Sequence, residues 1–283
     1  MADRGRKTKM MFRKAILGAV AFVAMAAGGS MAQAQDNPHT DQQSWSFAGV
    51  FGTYDQNQLR RGFQVYREVC SSCHGLEFIA FRNLSEPGGP RFSEDQVRAL
   101  AAEFTIADET ATDGRREGVP ADRWPNPFPS EQIARDSNSG AFPPDLSLMA
   151  KARGIHMDFP WWIFTYFTAY QEAGADYIYN LLTRYTEAPE GVDVPVGQYY
   201  NDYFAGHLIA MAPPLSDGIV SYADESTPQT MEQYARDVSA FLQWTADPHM
   251  VDRKATGFKV ILFLIVLSIL MYLVKRRIWR DVH

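Results

Sequence analysis

Apolar side chains recur at helical spacing in two long stretches of this chain. One stretch leads into Cys70, and its apolar positions are Leu59, Phe63, Tyr66 and Val69. The other covers residues 230–245, and its apolar face holds Met231, Tyr234, Val238, Phe241 and Thr245. Because positions three and four apart share one side of an α-helix, both stretches predict helices with one face turned inward.

Shorter helices are predicted over residues 93–104, 145–153 and 176–185. Ser93 and Gln96 have the residue types of a capping box, which marks the start of the first of these. Residues 105–140 are rich in Asp, Glu, Pro and Asn, so they predict long loops. No strand pattern is strong, and the sequence has neither an internal repeat nor a glycine-rich phosphate loop. The predicted fold class is therefore mainly α, with long loops.

The N-terminal residues have the layout of a secretory signal peptide. A basic region ends at Lys14, an apolar stretch follows over 15–27, and small residues close the segment with Ala32-Gln33-Ala34. We expect cleavage after Ala34, so that residues 1–34 are removed on export. The alternative is an amphipathic anchor that stays attached. Translation from Met10 or Met11 in place of Met1 leaves this interpretation unchanged.

The C-terminal residues predict a membrane anchor. Residues 260–274 are apolar except for Ser268, and a Lys-Arg-Arg sequence follows at once. Residues 257–259 bring the stretch close to the ~20 residues that a bilayer requires, with Lys259 extending its amine toward the headgroups. We predict a transmembrane helix over 257–274 and a cytoplasmic tail over 275–283, because basic clusters remain on the cytoplasmic side. The alternative is a buried helix of a soluble protein.

Together the two ends predict a single-pass protein of a bacterial inner membrane, with residues 35–256 as a periplasmic domain. The chain has 27 basic and 33 acidic side chains, of which the two terminal segments hold 11 basic and two acidic ones. The remaining 16 basic and 31 acidic side chains leave residues 35–256 with a net charge of −15. Such a domain repels nucleic acid and attracts a basic partner.

The two cysteines of the chain, Cys70 and Cys73, stand in the sequence Cys-Ser-Ser-Cys-His that ends at His74. A disulfide, a redox dithiol and half of a zinc site are the alternatives for this spacing. Zinc lacks a second Cys/His pair at suitable spacing, and a dithiol leaves the histidine without a role. The same residues form the attachment motif of c-type haem, in which two thioethers hold the porphyrin and the histidine ligates iron. We expect one haem c.

A six-coordinate electron carrier needs a second axial ligand. The histidine and methionine candidates are His39, His156, His207, His249, Met149, Met157, Met211 and Met250. Met211 precedes Ala212-Pro213-Pro214, where two prolines stiffen the loop, so a thioether there can be held rigidly. His207 is the rival ligand, and an ordinary loop methionine is the alternative for Met211. Spacing alone leaves this choice open.

Beyond these motifs, the chain resembles the cytochrome c1 family, the haem subunits of the ubiquinol–cytochrome c reductase (cytochrome bc1) complex. The matching blocks cover the haem motif at 69–74, the Asn-Ser-Gly-Ala-Phe-Pro-Pro-Asp-Leu-Ser sequence at 138–147, residues 151–153, residues 176–183 and the Met-Ala-Pro-Pro loop at 211–214. The haem motif is shared by many unrelated cytochromes, whereas the later blocks are more specific. The likeness extends over nearly the whole mature chain and is greater to bacterial members.

The resemblance implies a single-haem cytochrome c-type domain with a C-terminal anchor. It implies that Cys70 and Cys73 hold haem covalently, that His74 and Met211 are the axial ligands of iron, and that Arg153 pairs with a haem propionate. It further implies a haem pocket lined by Asn138, Pro143, Pro144 and Tyr177. For the last four residues the alternative is plain core, and for Arg153 a solvated residue at a helix end.

The resemblance also implies a role in electron transfer. The chain would accept single electrons from a Rieske iron–sulfur protein and pass them to a soluble or tethered basic cytochrome c, within a dimeric complex that includes cytochrome b. The complex is then the enzyme, and this chain is its redox carrier. Two alternatives are a monohaem enzyme or ligand sensor with an open distal site, and an anchored cytochrome that serves a different oxidase or reductase.

One stretch departs from the mitochondrial pattern. Residues 154–175 form an insertion that includes the aromatic run Phe159-Pro160-Trp161-Trp162. It predicts either a local helix that packs on its own domain or an apolar contact with a neighbouring subunit.

Two acidic clusters are candidates for docking the electron acceptor. The first comprises Asp108, Glu109, Asp113, Glu117 and Asp122, and the second comprises Glu187, Glu190 and Asp193. The alternative for each is a solvated face.

Overall fold

Two helices that cross at a glycine form the centre of the fold. Helix α1 spans Gln56–Val65, where the Asp55 carboxylate caps the first turn, and it continues into a π-helical turn, Tyr66–Cys70. Where α1 meets a later helix, a Cβ added to Gly62 would lie 2.1 Å from the carbonyl oxygen of Asp237. Only glycine lets the two backbones approach so closely. The predicted helix that leads into Cys70 is confirmed.

The structure is a computed structural model that describes residues 41–154 and 173–280. The predicted signal peptide lies outside the described residues, as do residues 155–172 of the insertion at 154–175. Helix α2 spans Glu94–Ala102, and Ser93 and Gln96 form the capping box that the sequence predicts. A 3₁₀ helix precedes it at Phe81–Ser85.

The stretch predicted as loops contains regular structure, so that prediction is wrong in part. Strands β1 (Thr105–Ala107) and β2 (Arg115–Glu117) pair as an antiparallel hairpin, and helix α3 spans Glu131–Ser137. Ser130 caps α3 by accepting a hydrogen bond from the amide of Ile133. The strands have three residues each, and α3 buries only Ala134. Elements this short carry too few apolar positions to show a period in the sequence.

The helix predicted over 145–153 is also shorter than expected. Helix α4 comprises only Met149–Ala152. The Asp145 carboxylate accepts hydrogen bonds from the amides of Glu77 and Ser147 in place of a helical turn. A side chain that bonds to nearby backbone amides competes with helix formation, which explains the late start.

Helix α5 spans Ala173–Thr183, and helix α6 spans Met231–Ala246 with Thr230 as its N-cap, so the helices predicted over 176–185 and 230–245 are confirmed. Between them, strands β3 (Tyr199–Tyr200) and β4 (Leu208–Ile209) pair antiparallel. The core lies between α1 and α6, and its largest fully buried side chains include Trp244, Tyr66 and Tyr234. The fold class is mainly α, as predicted.

The N-terminal described segment packs on α5. The indole Nε1 of Trp45 and the amide of Gln43 donate to Oδ1 of Asp176, at 2.8 and 2.9 Å. Burial raises the pKa of Asp176, and the two hydrogen bonds only partly offset this effect. The carboxylate therefore ties the chain that follows the predicted cleavage site to the interior.

The C-terminal helix α7 spans Met250–Trp279 and includes the whole predicted membrane segment. Among the described residues, it is the one helix long and apolar enough to cross a membrane. Its first residue, Met250, is 2% exposed in the domain core, whereas the side chains from 258 onward are exposed. The helix thus begins inside the domain and leaves it before the apolar span.

Candidate functional site

A π-helical turn closes the Cys-Ser-Ser-Cys-His motif into a compact loop. The amide of Ser71 donates to the carbonyl of Tyr66 at 2.8 Å, and the amides of Cys73 and His74 both donate to the carbonyl of Cys70. Single π turns of this kind commonly mark functional sites in helices. The backbone is therefore shaped locally to present two cysteines and a histidine from one turn.

Tyr66 fastens this loop from the inside. Its hydroxyl donates a 2.9 Å hydrogen bond to the carbonyl of His74, and its ring packs against Trp124 and Phe241 at centroid distances of 5.9 Å. The helical spacing identifies Tyr66 as a core residue but gives no sign of this hydrogen bond. The bond joins the last residue of the motif to the helix that precedes it.

The imidazole of His74 is oriented by a distant loop. Its Nδ1 lies 2.8 Å from the carbonyl oxygen of Pro144. A carbonyl can only accept, so Nδ1 carries the hydrogen and Nε2 keeps a lone pair. Burial lowers the pKa of His74, against the opposing effects of Pro144 and Asp145. A neutral imidazole with a free Nε2 is the form that binds a metal.

Asp145 holds the Pro144 loop against the motif loop. Its two carboxylate oxygens accept from the amides of Glu77 and Ser147, each at 2.8 Å. Beside them, the amide of Leu146 donates to the carbonyl of Gly75 at 2.9 Å. Asp145 directly follows Pro144, so its carboxylate fixes the Pro144 loop to the chain just beyond His74. Asp145 lies in the matching block at 138–147, but the sequence alone assigns it no role.

Cys70 and Cys73 are both free thiols in the structure. Burial raises the pKa of Cys70 to about 12, so this thiol stays protonated at neutral pH. Redox-active dithiols have lowered pKa values, so this environment does not favour the dithiol alternative. In the part of the chain that the structure describes, no group of three or more His, Cys, Asp or Glu side chains is placed to hold a metal ion. The zinc alternative has no further support there.

A second group of candidate residues lies around Tyr177 and Tyr185. The hydroxyl of Tyr185 donates to the carbonyl of Met211 at 3.1 Å, and the guanidinium carbon of Arg153 lies 5.4 Å from the ring centre of Tyr177. Burial raises the pKa of both tyrosines, so their phenols are neutral. Arg153 directly follows α4, so one short segment runs from the Pro144 loop to this group. Tyr185 was not singled out in the sequence.

The candidates for the second iron ligand differ in their surroundings. The ring of His207 stacks on Tyr200 at 5.6 Å, and its Nδ1 lies 3.3 Å from the carbonyl of Asn201. Met250 is buried in the domain core, and Met149 is half-buried in α4. Met211 is half-buried and packs against the core. His39, His156 and Met157 lie outside the described residues.

Asn138 and Pro143 are connected to the candidate haem site less directly than Pro144 is. The amide nitrogen of Asn138 donates to the carbonyl of Ala134 in its own helix, at 2.7 Å. Within the ranges that the structure covers, no side-chain hydrogen bond of Asn138 reaches His74 or Met211. Pro143 is half-buried and directly precedes Pro144, which is exposed.

Comparison with known proteins identifies the family. The model of the Cytochrome C1 family matches residues 45–282. The chain belongs to the cytochrome C1 family. Cytochrome c1 of Blastochloris viridis is 46% identical over 94% of this chain and 93% of its own length. The resemblance drawn from the sequence motifs is confirmed.

Two further relatives extend the comparison. Cytochrome b/c1 of Bradyrhizobium diazoefficiens is 51% identical over 94% of this chain, which spans only 40% of that protein. The mitochondrial cytochrome b-c1 complex catalytic subunit of Candida albicans is 42% identical over 89% of this chain and 82% of its own length. The cytochrome C1 family thus includes bacterial and mitochondrial relatives of this chain.

Membership in the cytochrome C1 family implies a haem c cofactor, and the residues present fit one. The closed turn supplies two thiols and a histidine whose Nδ1 is already bonded to Pro144. The donor set of two cysteines and one imidazole is the one that covalent haem attachment requires.

The two acidic clusters differ in how far they are neutralised. In the first, the Arg116 guanidinium pairs with Asp108 at 2.8 Å and with Asp122 at 2.5 Å. Its hydrogen bonds lower the pKa of Asp122 to about 2. In the second cluster, Glu187, Glu190 and Asp193 are exposed, and none has an ion pair among the described residues. We call residues 187–193 the acidic loop.

Proposed function

We propose that this chain passes single electrons through one covalently bound haem c, as the membrane-anchored redox carrier of a quinol–cytochrome c reductase. The observation that carries the proposal is the closed Cys-Ser-Ser-Cys-His turn whose histidine bonds through Nδ1 to Pro144. The bound haem supplies reversible Fe(III)/Fe(II) exchange. The residues of the chain attach it, set its axial ligands and hold its surroundings rigid.

In this proposal, Cys70 and Cys73 would hold the haem through thioethers, and His74 and Met211 would ligate its iron. The Pro144 carbonyl favours the tautomer of His74 whose Nε2 lone pair would be free to bind iron, as carbonyl partners commonly do for ligating histidines. The hydrogen bond from Tyr185 restrains the backbone of Met211. The stacking of the His207 ring on Tyr200 supports Met211 over that rival.

Arg153, Tyr177, Asn138 and Pro143 complete the proposed haem surroundings, beside Pro144. Among the described residues, Arg153 forms no ion pair with a carboxylate, and its guanidinium lies over the ring of Tyr177. A planar guanidinium is suited to a haem propionate because it can donate two parallel hydrogen bonds. A positive charge near the haem also favours the reduced form and raises the potential.

The proposed topology follows from the two ends of the chain. After cleavage at Ala34, the domain lies on the periplasmic side of a bacterial inner membrane, and α7 crosses to the cytoplasm. Arg276 and Arg277 in the last turn of α7 support this orientation. The proposed partners are cytochrome b and a Rieske iron–sulfur protein, which is the electron donor, in a dimeric complex. The tether holds the haem near its donor at a high effective concentration.

For the electron acceptor, we propose a basic cytochrome c that docks at the acidic loop. The loop carries three exposed carboxylates around Val192, which is 43% exposed. Tyr185, two residues before the loop, contacts Met211 through its hydroxyl. An acidic rim beside an apolar centre suits a basic partner, since charge steers the encounter and apolar contact completes it. The first acidic cluster is less suited because Arg116 neutralises part of its charge.

Absorption spectroscopy separates this function from a ligand-binding one. We expect the reduced holoprotein to show a sharp c-type α-band that carbon monoxide leaves unchanged, since both axial positions are filled. Haem retained by the chain on a denaturing gel would show covalent attachment. A carbon monoxide complex in the unsubstituted protein would instead support an enzyme or sensor with an open distal site.

Co-purification decides the assembly. An affinity tag on the C-terminal tail should retain cytochrome b and an iron–sulfur protein after mild detergent extraction. A chain lacking the haem cysteines, Cys70→Ala with Cys73→Ala, is the control for nonspecific retention. Recovery of a terminal oxidase in place of these partners would contradict the proposal and favour the alternative of a different electron-transfer complex.

A further inference from the structure

A short apolar loop projects beside the start of the membrane helix. Residues 48–52 read Ala-Gly-Val-Phe-Gly, and Phe51 at the tip is 76% exposed. The turn is built for this shape. Gly49 has a φ of 72°, and a Cβ added to Gly52 would lie 2.2 Å from the carbonyl oxygen of Ala48. Both glycines are therefore required by the turn.

The base of this loop is fixed to the domain and to α7. Phe47 is fully buried and stacks on Trp45 at 5.2 Å, while the amine of Lys254 donates to the carbonyl of Phe47 at 2.7 Å. The amide of Thr53 closes the loop by donating to the carbonyl of Ser46. A loop with so firm a base holds its exposed tip in one place.

The tip touches the helix at the level where the apolar span begins. The rings of Phe51 and Phe258 meet edge to face, with centroids 5.4 Å apart. Phe258 is the second residue of the span 257–274. That span is about 27 Å long at 1.5 Å per residue, close to the thickness of a bilayer core. A side chain in contact with Phe258 lies within a few ångströms of the edge of that core.

We infer that residues 48–52 insert Phe51 into the lipid interface on the side of the haem domain, as a second point of membrane contact beside α7. This goes beyond the proposed electron transfer and depends only on α7 crossing a bilayer. An apolar loop tip with no charged residue loses exposed surface by entering lipid. Lys259, exposed on α7 one residue beyond Phe258, is placed to meet lipid phosphates.

A second contact has a mechanical consequence. A helix alone leaves the domain free to tilt about the point where the helix enters the membrane. Phe47, at the base of the loop, lies 207 residues before Lys254 in the chain, and the hydrogen bond between them couples the two contacts. Lipid contact at both points would restrict the tilt of the domain, and with it the height of the haem site above the membrane.

Site-directed spin labelling tests the inference on the full-length holoprotein. Since the haem occupies both native cysteines, Phe51→Cys provides a single thiol for a nitroxide label, and the unsubstituted protein shows background labelling. The protein is reconstituted into vesicles of phosphatidylethanolamine and phosphatidylglycerol. Collision of the label with oxygen, which concentrates in lipid, is compared with collision with a water-soluble nickel chelate. Leu267→Cys in the middle of the span and exposed Val196→Cys on the domain are the lipid and water references.

We expect the oxygen-to-nickel ratio at position 51 to be several-fold above that at 196 and to lie between those at 196 and 267, as an interfacial depth requires. The same ratio is expected in the assembled complex. A label at 51 that the nickel chelate reaches as freely as it reaches 196 would overturn the inference. So would a label in the complex that neither reagent reaches, because that result would place the loop against a partner subunit. Neither result bears on the haem ligands, so this inference and the proposed function fail separately.

Discussion

The hydroxyl of Tyr185 donates a 3.1 Å hydrogen bond to the carbonyl oxygen of Met211. Tyr185 is half-buried just after α5, so its phenol is held by the domain and restrains the loop at Met211 itself. In contrast, the ring of His207 stacks on Tyr200 at the β3–β4 hairpin. The two rival ligands are thus held differently, and substitution distinguishes them.

Replacing Met211 with Leu should open the distal position. We expect the midpoint potential to fall and a carbon monoxide complex to form, because a thioether ligand raises the potential and blocks that position. His207→Ala is the matched control and should keep both the potential and the carbon monoxide-insensitive spectrum. If His207→Ala forms the carbon monoxide complex and Met211→Leu does not, the ligand assignment is wrong.

Removing the Asp145 carboxylate should loosen the loop that orients His74. Asp145→Ala leaves the amides of Glu77 and Ser147 without their acceptor, so we expect a loss of about 1–3 kcal/mol in the free energy of unfolding. We also expect a shifted midpoint potential, because the Pro144 carbonyl is held less firmly. Denaturant unfolding and a redox titration measure the two effects.

Asp145→Asn tests whether the hydrogen bonds that residue 145 accepts matter more than its negative charge. An amide oxygen can replace one of the two accepted hydrogen bonds, so this variant should lie between the wild type and Asp145→Ala in both measurements. Asp95→Ala removes only an exposed ion pair with Arg98 on α2, so this surface control should change the stability far less than Asp145→Ala and leave the potential unchanged. An Asp145→Ala variant that loses stability at an unchanged potential would limit the role of Asp145 to folding.

Asp176 and Asp122 should affect stability with opposite dependence on pH. Burial raises the pKa of Asp176 above its ordinary value of 3.8, so the native state holds this proton more tightly than the unfolded state. Its stabilising contribution is complete below pH 3.8 and is lost as the pH rises through the native pKa. We therefore expect Asp176→Asn, which keeps an acceptor for Trp45, to gain stability relative to the wild type as the pH rises through that range.

For Asp122 the sign is reversed. The hydrogen bonds of Arg116 lower its pKa to about 2, so its contribution is present above pH 3.8 and is lost as the pH falls through the native value. The stability deficit of Asp122→Asn should then be greatest at neutral pH and shrink in acid. Unfolding curves of both variants at a series of pH values provide the comparison. Parallel pH profiles for the two variants would contradict these assignments.

The first turns of α7 belong to the domain, so the site of truncation should matter. Ending the chain after Thr256 keeps the ion pair of Arg253 with Asp247 and the hydrogen bond from Lys254 to Phe47. We expect this form to be a soluble haem protein once exported. Ending after Asp252 removes both contacts and should lower the free energy of unfolding by about 1–2 kcal/mol. Thermal unfolding compares the two, and equal stability would show that these contacts contribute nothing.

Electron transfer to a basic cytochrome c should be steered by charge. We expect the second-order rate to fall about tenfold or more between low and high salt, since steering weakens as the Debye length shrinks. Neutralising the acidic loop with Glu187→Gln, Glu190→Gln and Asp193→Asn should remove most of the salt dependence of this rate. Neutralising three exposed acids elsewhere, Glu94, Glu225 and Glu232, matches the change in net charge. Equal effects of the two triple variants would mean that net charge, and not the acidic loop, governs docking.

The features predicted correctly from sequence are those whose cause is local along the chain. The Cys-Ser-Ser-Cys-His motif that indicates the family is contiguous, the long helix α7 follows from the length of one apolar run, and α1 and α6 each show their inward face as a helical period. Ser93 and Gln96 form their capping box within a single turn. In each case the interacting groups are at most a few residues apart, so the pattern of residue types contains the information.

The tertiary structure decided what depends on distant segments. His74 is oriented by Pro144, 70 residues away, and Lys254 reaches Phe47 across 207 residues. The amide of Glu77 donates to the Asp145 carboxylate across 68 residues, and Arg116 neutralises two acids that the sequence shows only as part of an acidic cluster. None of these partners follows from local spacing. Hydrogen bonds form only at contact distance and ion pairs are strongest there, and packing brings those groups into contact.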